Sequence, residues 1–471
     1  MSCSRIRKES EKPNLNWEEA LRQYQNVMAS ESEAVKVKAT VKLANLSQCA
    51  PENILNSTIP IIAKHLGDNP ITNSSQSMQG AAAYCLRRIS CRGDDGTLAM
   101  AVGNSGALES LLRLLPYSNG GFRKILVKCV WSVVTFGKTS RVIIARNGGL
   151  EVIIGMLDSV IDASRRYLLE ILSALALLRE VRKALISLRG LPFLVEAARC
   201  GCLASRERAC QAIGLLAITK RGRRMLFELG VVPVLIELFR GGDCTTKLVA
   251  GNSLGIVSAH VAYIRPVAQA GAIPLFADLL QWPNHPIGKE IAEDVFCLLA
   301  VAEENAVVIS DHLVRILKEG DDEAKAAAAD VLWDLSGYKY SISTAHNSGA
   351  IPVMVDLLQD RNNEVREKVS GAIAQLSYNE IDRAALADAG AIERLIELLQ
   401  DELEELKDNA AEALINFSED LFYCGRVSEA VSTPAFRNMQ ERMTHIRTTE
   451  QHSMRSLRQM GIDQLTRDPD L

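Results

Sequence analysis

Apolar and polar positions alternate along this chain with helical spacing, and the whole pattern repeats. The segment Asn347 to Leu358 reads Asn-Ser-Gly-Ala-Ile-Pro-Val-Met-Val-Asp-Leu-Leu, and related segments stand at Asn104 to Leu115, Arg146 to Leu157, Leu188 to Ala198, Glu228 to Phe239, Gln269 to Leu280 and Asp388 to Leu399. Degenerate copies lie at Ser57 to Leu66 and Val308 to Leu317. The marker position is Gly106, Gly148, Gly230, Gly271, Gly349 and Gly390, with Ser57, Arg189 and Val308 standing in, so the step is about 41 residues. Self-similarity at that period predicts a solenoid, in which each unit buries its apolar face against its neighbours.

A second helical segment follows each block. Aligned on Asn416, the column two residues earlier reads Leu43, Leu86, Val130, Leu172, Ile213, Leu254, Phe296, Leu332, Ile373 and Leu414. The column one residue later reads Leu46, Ile89, Val133, Leu175, Leu216, Val257, Leu299, Leu335, Leu376 and Phe417. Small residues dominate six positions earlier, from Ala39 and Ala82 to Ala410. These columns form one buried stripe on a helix. The marker Gly predicts a sharp turn between two short helices, and Pro60, Pro192, Pro233, Pro274 and Pro352 fit a first helical turn, where a missing N–H costs little.

Gly-Ala-Ile-Pro-x-x-(Val/Ile)-x-Leu-Leu followed by Ala-Ala-x-Ala-Leu-x-Asn-(Leu/Phe)-Ser resembles the armadillo repeat, from Val35 to Ser418. HEAT repeats share the period, but the Gly-Ala-Ile-Pro signature favours armadillo. The resemblance implies an all-α, right-handed α-α superhelical solenoid of about nine to ten armadillo repeats, with a concave groove lined by the third helix of each repeat. It is a resemblance to a family that includes importin-alpha-like receptors, beta-catenin-like proteins and plant U-box ligases. The expected division is an N-terminal extension and capping helix over 1–34, repeats over 35–425 and a helical tail or cap over 426–471. The extension is too short for a U-box, so ligase activity does not carry over.

Composition changes this picture little. The 471 residues are 48% hydrophobic but only 5% aromatic, so Ala and Leu carry the packing. No uninterrupted apolar run is long enough to span a bilayer, and the start, Met1 to Lys8, lacks the apolar core of a signal peptide. Neither integral membrane association nor secretion is expected, which places the chain in the cytoplasm or nucleus. The 11 cysteines fit reduced thiols better than a disulfide framework. Cys200, Cys202, Cys210 and Cys244 match no zinc spacing, and Ser2 excludes myristoylation beside Cys3. The seven histidines occupy unrelated repeat positions, so neither a catalytic constellation nor a cofactor is expected. Lys220 to Arg224 is a basic run at a helix start without interleaved aromatic residues, a poor nucleic-acid signal.

Charge does add something. The Asn416 column and the columns four and eight residues earlier are expected to face the groove. They place Arg88, Lys124, Lys128 and Arg166 early, and Asp294, Asp330, Asp334, Glu367, Asp408 and Glu412 late. Ala174, Leu215, Ile256 and Leu298 would form a less polar floor. Only Asn45 and Asn416 keep Asn in that column, and the earlier column lacks the Trp ladder of importins, so an import-receptor grip on peptide backbone is missing from the middle. Residues 1–260 carry about +13 and residues 261–471 about −17, which together make the chain's −4.

The expected function is a protein-protein interaction scaffold or adaptor that binds extended segments of partner proteins. An adaptor within a ubiquitin-ligase assembly and a nucleic-acid-binding or transport solenoid stay open as alternatives, as does self-association. Trp17, Leu21 and Tyr24 on a helix beginning after Asn16 would cover the first repeat, and Phe436, Met439, Met443 and Ile446 would cover the last or engage a partner.

Overall fold

A computed structural model describes residues 16–67, 73–92, 96–336 and 348–443. It is all-α, with no strand among the described residues. The chain divides into two units, Met1–Ser253 and Leu254–Leu471, a boundary that falls within helix Cys244–Ser258. Each unit is a stack of helical repeats.

Three helices make up the regular repeat, as in Lys220–Glu228, Val231–Gly241 and Cys244–Ser258. The corner between the first two is the marker Gly, in the left-handed region at Gly106, Gly148, Gly230, Gly271, Gly349 and Gly390, with φ between 70° and 90°. A side chain with a Cβ meets its own carbonyl in that region, which is why Gly recurs there. The three stand-ins separate into two outcomes. Arg189 keeps the turn, with φ 55°. Where Ser57 or Val308 stands, the turn is gone and the two short helices run together as Glu52–Lys64 and Glu303–Glu319. Pro60 therefore lies inside a helix, whereas Pro192 sits in a first turn.

Third helices hold the core. In the N-terminal unit Leu86, Val130, Leu172 and Ile213 are all 0% exposed, and in the C-terminal unit Phe296, Ile373, Leu414 and Phe417 are 0% exposed. Each such side chain contributes about 1.5–3 kcal/mol relative to an exposed one. Small hydroxyl and amide groups tie neighbouring third helices within each unit. Ser90 and Ser132 hydroxyls lie 2.7 Å apart, Ser173 and Ser205 3.0 Å, and Asn416 Nδ2 donates to Ser377 Oγ at 2.8 Å.

Another column also links the repeats, nine residues before the Asn416 position: Lys36, Gln79, Arg123, Arg165, Arg206, Lys247, Lys289, Lys325, Arg366 and Lys407. All but one are cationic. Arg123 donates to the Ser118 carbonyl at 2.9 and 2.7 Å, Arg165 to Val160 at 3.0 Å and Arg206 to Ala198 at 3.0 Å, so these cations take up carbonyls left over at or just past the C-terminal end of the preceding helix. The same residues reach a carboxylate in the following repeat. Arg165 bonds Glu196 in two places at 2.8 and 2.7 Å, Lys289 bonds Glu323 at 2.6 Å and Arg366 bonds Asp401 at 2.6 Å.

After Ser418 the chain turns, and Val427, Ala430, Phe436, Met439 and Met443 are buried, with Arg442 bonded to Asp408 at 2.7 Å. Ile446 lies outside the described residues, as do Cys3 and the first 15 residues. No disulfide links the described cysteines, and burial pushes the thiols of Cys85 and Cys210 up to about 12.

Candidate functional site

Arg88, Lys124, Lys128 and Arg166 lie on third helices of the N-terminal unit. Lys124 and Arg166 are exposed and Arg88 and Lys128 are half-buried. Lys128 places its ammonium 5.2 Å from the centre of the Tyr167 ring, and Tyr167 packs edge-on against Trp131 at 5.5 Å. The contact between Lys128 and the ring keeps the cation available while burying its stem. Arg88 Nε donates to the Ala44 carbonyl at 3.4 Å.

Glu170 belongs to a column expected to face outward, yet it is 2% exposed. It accepts from Trp131 Nε1 at 2.5 Å, Arg166 Nε at 3.0 Å and the Cys202 backbone N–H at 3.4 Å. Gly201, with φ 106°, brings this backbone close: a Cβ there would lie 3.2 Å from a Glu170 oxygen. Ser132 and Ala174, in the Asn416 column, are also fully buried. Leu215 alone of the expected floor in this unit is partly open.

In the C-terminal unit Asp294 and Asp334 are exposed, Asp330, Glu367, Asp408 and Glu412 are half-buried, and Ile256 and Leu298 are partly open. Asp330 bonds Lys368 at 3.0 Å, and Lys368 lies 5.9 Å from the centre of the Trp333 ring. Glu412 accepts from the Tyr378 hydroxyl at 2.8 Å. Asn416 corrects the expectation for its column: it is 4% exposed, because its amide is taken up by Ser377 on the neighbouring helix. Asp408 is likewise engaged by Arg442.

Glu293 was missed by the column reading, since it falls one residue before Asp294. It lines a cavity of about 530 Å³ together with Lys289, Glu323, Asp330, Glu364 and Lys368. Burial, then Asp330, push its carboxyl up to about 7, with Asp334 and Asp294 acting the same way and Lys368 opposing them. Burial and Asp330 also raise Asp334. Burial and the Asp334 carboxylate push the Cys297 thiol up to about 12. The signal that could have found Glu293 is the density of acids at 290, 293 and 294, where Lys289 is the one Lys or Arg between Arg265 and Arg315. Among the described residues no group of His, Cys, Asp and Glu is arranged to hold a metal ion, and no helix is long and apolar enough to cross a membrane.

A family model for HEAT repeats matches residues 310–415. No curated protein matches the sequence. Among solved structures, the chain is similar to an engineered protein from a structural genomics consortium, with a TM-score of 0.61, 22% identity, and coverage of 84% of this chain and 98% of that one. It is also similar to a chain from a study of the phosphorylation switch that controls the interaction between cadherin and beta-catenin, with a TM-score of 0.63, 16% identity, and coverage of 90% and 86%. The fold is that of a helical-repeat solenoid.

Proposed function

We propose that the chain is a non-catalytic scaffold of armadillo type, holding extended segments of partner proteins along the third-helix face of each unit. The observation that carries this reading is the row Arg88, Lys124, Lys128 and Arg166, one basic position or more on successive third helices, with Lys128 set against an aromatic ring rather than a carboxylate. Helices packed about 10 Å apart match about three residues of extended chain, so acidic side chains at that interval meet one cation per repeat. Along the C-terminal unit, Asp294, Asp330, Glu367 and Glu412 suit basic side chains. Complementary charge of this kind sets specificity and association rate. Partly open apolar positions, Leu215 in one unit and Ile256 and Leu298 in the other, are where buried anchors would supply affinity. Fold likeness to the chain from the cadherin and beta-catenin study supports the reading by analogy.

The test is affinity capture with quantitative mass spectrometry, comparing the natural chain with Lys124→Glu/Lys128→Glu. Neither side chain is in the core, so the melting temperature should hold. Partners taken up by the N-terminal unit should be lost from the variant, and an unchanged set of captured proteins overturns the reading.

A further inference from the structure

The corner where a third helix gives way to the next first helix carries its own pattern in the N-terminal unit. The first helices Lys138–Arg146, Arg179–Ser187 and Lys220–Glu228 open, at the repeat interval, on Lys138, Arg179 and Lys220. All three are exposed, and none of their side chains has a hydrogen bond or ion pair among the described residues. A cation at the first position of a helix opposes the helix dipole, so these three do not serve their own helices. Across the three helices ten Lys and Arg stand against Glu180 and Glu228, and Glu228 is already held by Arg224 at 2.9 Å.

Two comparisons set these cations apart. One turn further along the same helices, Arg141, Arg182 and Arg223 donate to carbonyls at or just past the end of the third helix, at 3.1, 2.7 and 2.9 Å, and so cap the repeat. In the C-terminal unit the described first helices open on Val261, Glu303 and Glu380, and Arg265 and Arg383 there are bonded to Glu304 and Asp420. The unpaired cations of the N-terminal unit also have apolar company. Phe136 is 39% exposed before Lys138, Leu178 is part-exposed before Arg179, and Ile218 is 59% exposed before Lys220.

We infer that this edge of the N-terminal unit docks on an anionic lipid surface. Cations supply attraction to charged headgroups, and apolar side chains beside them enter the boundary with the acyl chains. Equivalent positions of successive repeats lie about 10 Å apart, so the edge offers a line of separate contact points, which suits a broad surface better than a small ligand. A single-stranded nucleic acid would call for exposed rings to stack on, and two of the three apolar positions are aliphatic. The attachment is peripheral, and each cation strengthens it about fivefold.

Flotation of the full chain with phosphatidylcholine vesicles, with and without about 30% phosphatidylserine, tests this. The natural chain should float only with the anionic vesicles, and salt should release it. Lys138→Glu/Lys220→Glu should weaken binding about 25-fold or more, while the melting temperature holds or rises, since Glu suits a helix N-terminus. Ile218→Ser should weaken binding with the charge unchanged. Lys124→Glu/Lys128→Glu alters net charge by the same amount on the third-helix face and should cost much less, which keeps this test apart from that of peptide binding. Equal losses for the two pairs overturn the proposal, by making the attraction one of net charge. A natural chain that does not float with anionic vesicles overturns it, as does Ile218→Ser binding like the natural chain, which would assign the cations to a soluble polyanion.

Discussion

The two units place a carboxylate in the same kind of position and treat it differently. Each has a carboxylate on a third helix at the margin of the core. In the N-terminal unit Glu170 is buried and surrounded by three donors. In the C-terminal unit Glu293 is half-buried and faced by three further carboxylates with Lys368 as the opposing cation. Repeats without the marker Gly occur in both units, at Ser57 and Arg189 in the N-terminal one and at Val308 in the C-terminal one. Arg189 accepts a left-handed turn, whereas Ser57 and Val308, one in each unit, lie within unbroken helices. A repeat pattern assigns a residue to a column, but the neighbouring repeat decides whether that column position stabilises the stack or stands ready for a partner.

Glu170→Ala should have the largest effect. The substitution strips the Trp131 N–H of its acceptor, frees Arg166 and leaves the Cys202 N–H unpaired, a loss of about 3 kcal/mol if the groups stay buried. Thermal unfolding should show a lowered midpoint, and hydrogen exchange should rise first around residues 131–170 and 200–203. Glu293→Ala should lower nothing comparable. Equal losses for the two would erase the distinction between a satisfied carboxylate and a crowded one.

Most of the architecture was legible because it depends on period alone. The Gly column, the apolar columns at Leu86 and Ile89 and the small residues at Ala82 predict helix, corner and core without reference to any partner. The outward columns were less legible. Asn416 and Glu170 look like surface residues in an alignment of repeats, since a single helix cannot reveal that Ser377 or Trp131 on its neighbour will bind them. The cationic column from Arg123 to Arg366 was visible in sequence, yet its role lies in carbonyls and carboxylates contributed by adjoining helices. Its charges add to the positive sum of residues 1–260 without adding in proportion to a basic ligand face.

Glu293 gives the second prediction, and it is one of pH. A carboxyl pushed up to about 7 in the folded chain, against 4.5 for the ordinary group, binds its proton more tightly folded than unfolded. Its ionisation therefore costs stability as pH rises through that interval, and the cost is fully present above it. The group is about half exposed, so solvent screening leaves about 1–2 kcal/mol of this effect. Glu293→Gln should raise the melting temperature at pH 8 and leave it nearly unchanged at pH 5. Glu170→Gln should be destabilising at both values, since the amide offers one acceptor oxygen where three donors converge. A Glu293→Gln variant with the same shift at both pH values would remove the electrostatic half of the contrast between the units.

The smallest effects concern two of the three missing glycines, those at Arg189 and Val308, and their signs should oppose. Arg189 pays for a left-handed backbone that Gly would adopt without strain, so Arg189→Gly should stabilise by about 1 kcal/mol, reduced somewhat by the greater freedom of Gly in the unfolded chain. Val308 sits inside helix Glu303–Glu319, where Gly is a poor residue, so Val308→Gly should destabilise by about 0.5–1 kcal/mol. Local sequence explains why the two positions differ. Gly190 and Pro192 follow Arg189, and together they weaken the helix and remove an N–H donor, so a continuous helix cannot form there. Ile309 and Ser310 follow Val308 and offer no such break, while Ser57 is followed by Pro60 alone and the helix continues. If one breaker is tolerated and two are not, introducing both at the Val308 repeat, as Ile309→Gly with Asp311→Pro, should split its helix and convert Val308→Gly from a loss into a gain. Chemical denaturation of the Val308→Gly variant in the two backgrounds measures that reversal, and a loss of the same size in both would show that the corner is imposed by packing between repeats rather than by the residues beside it.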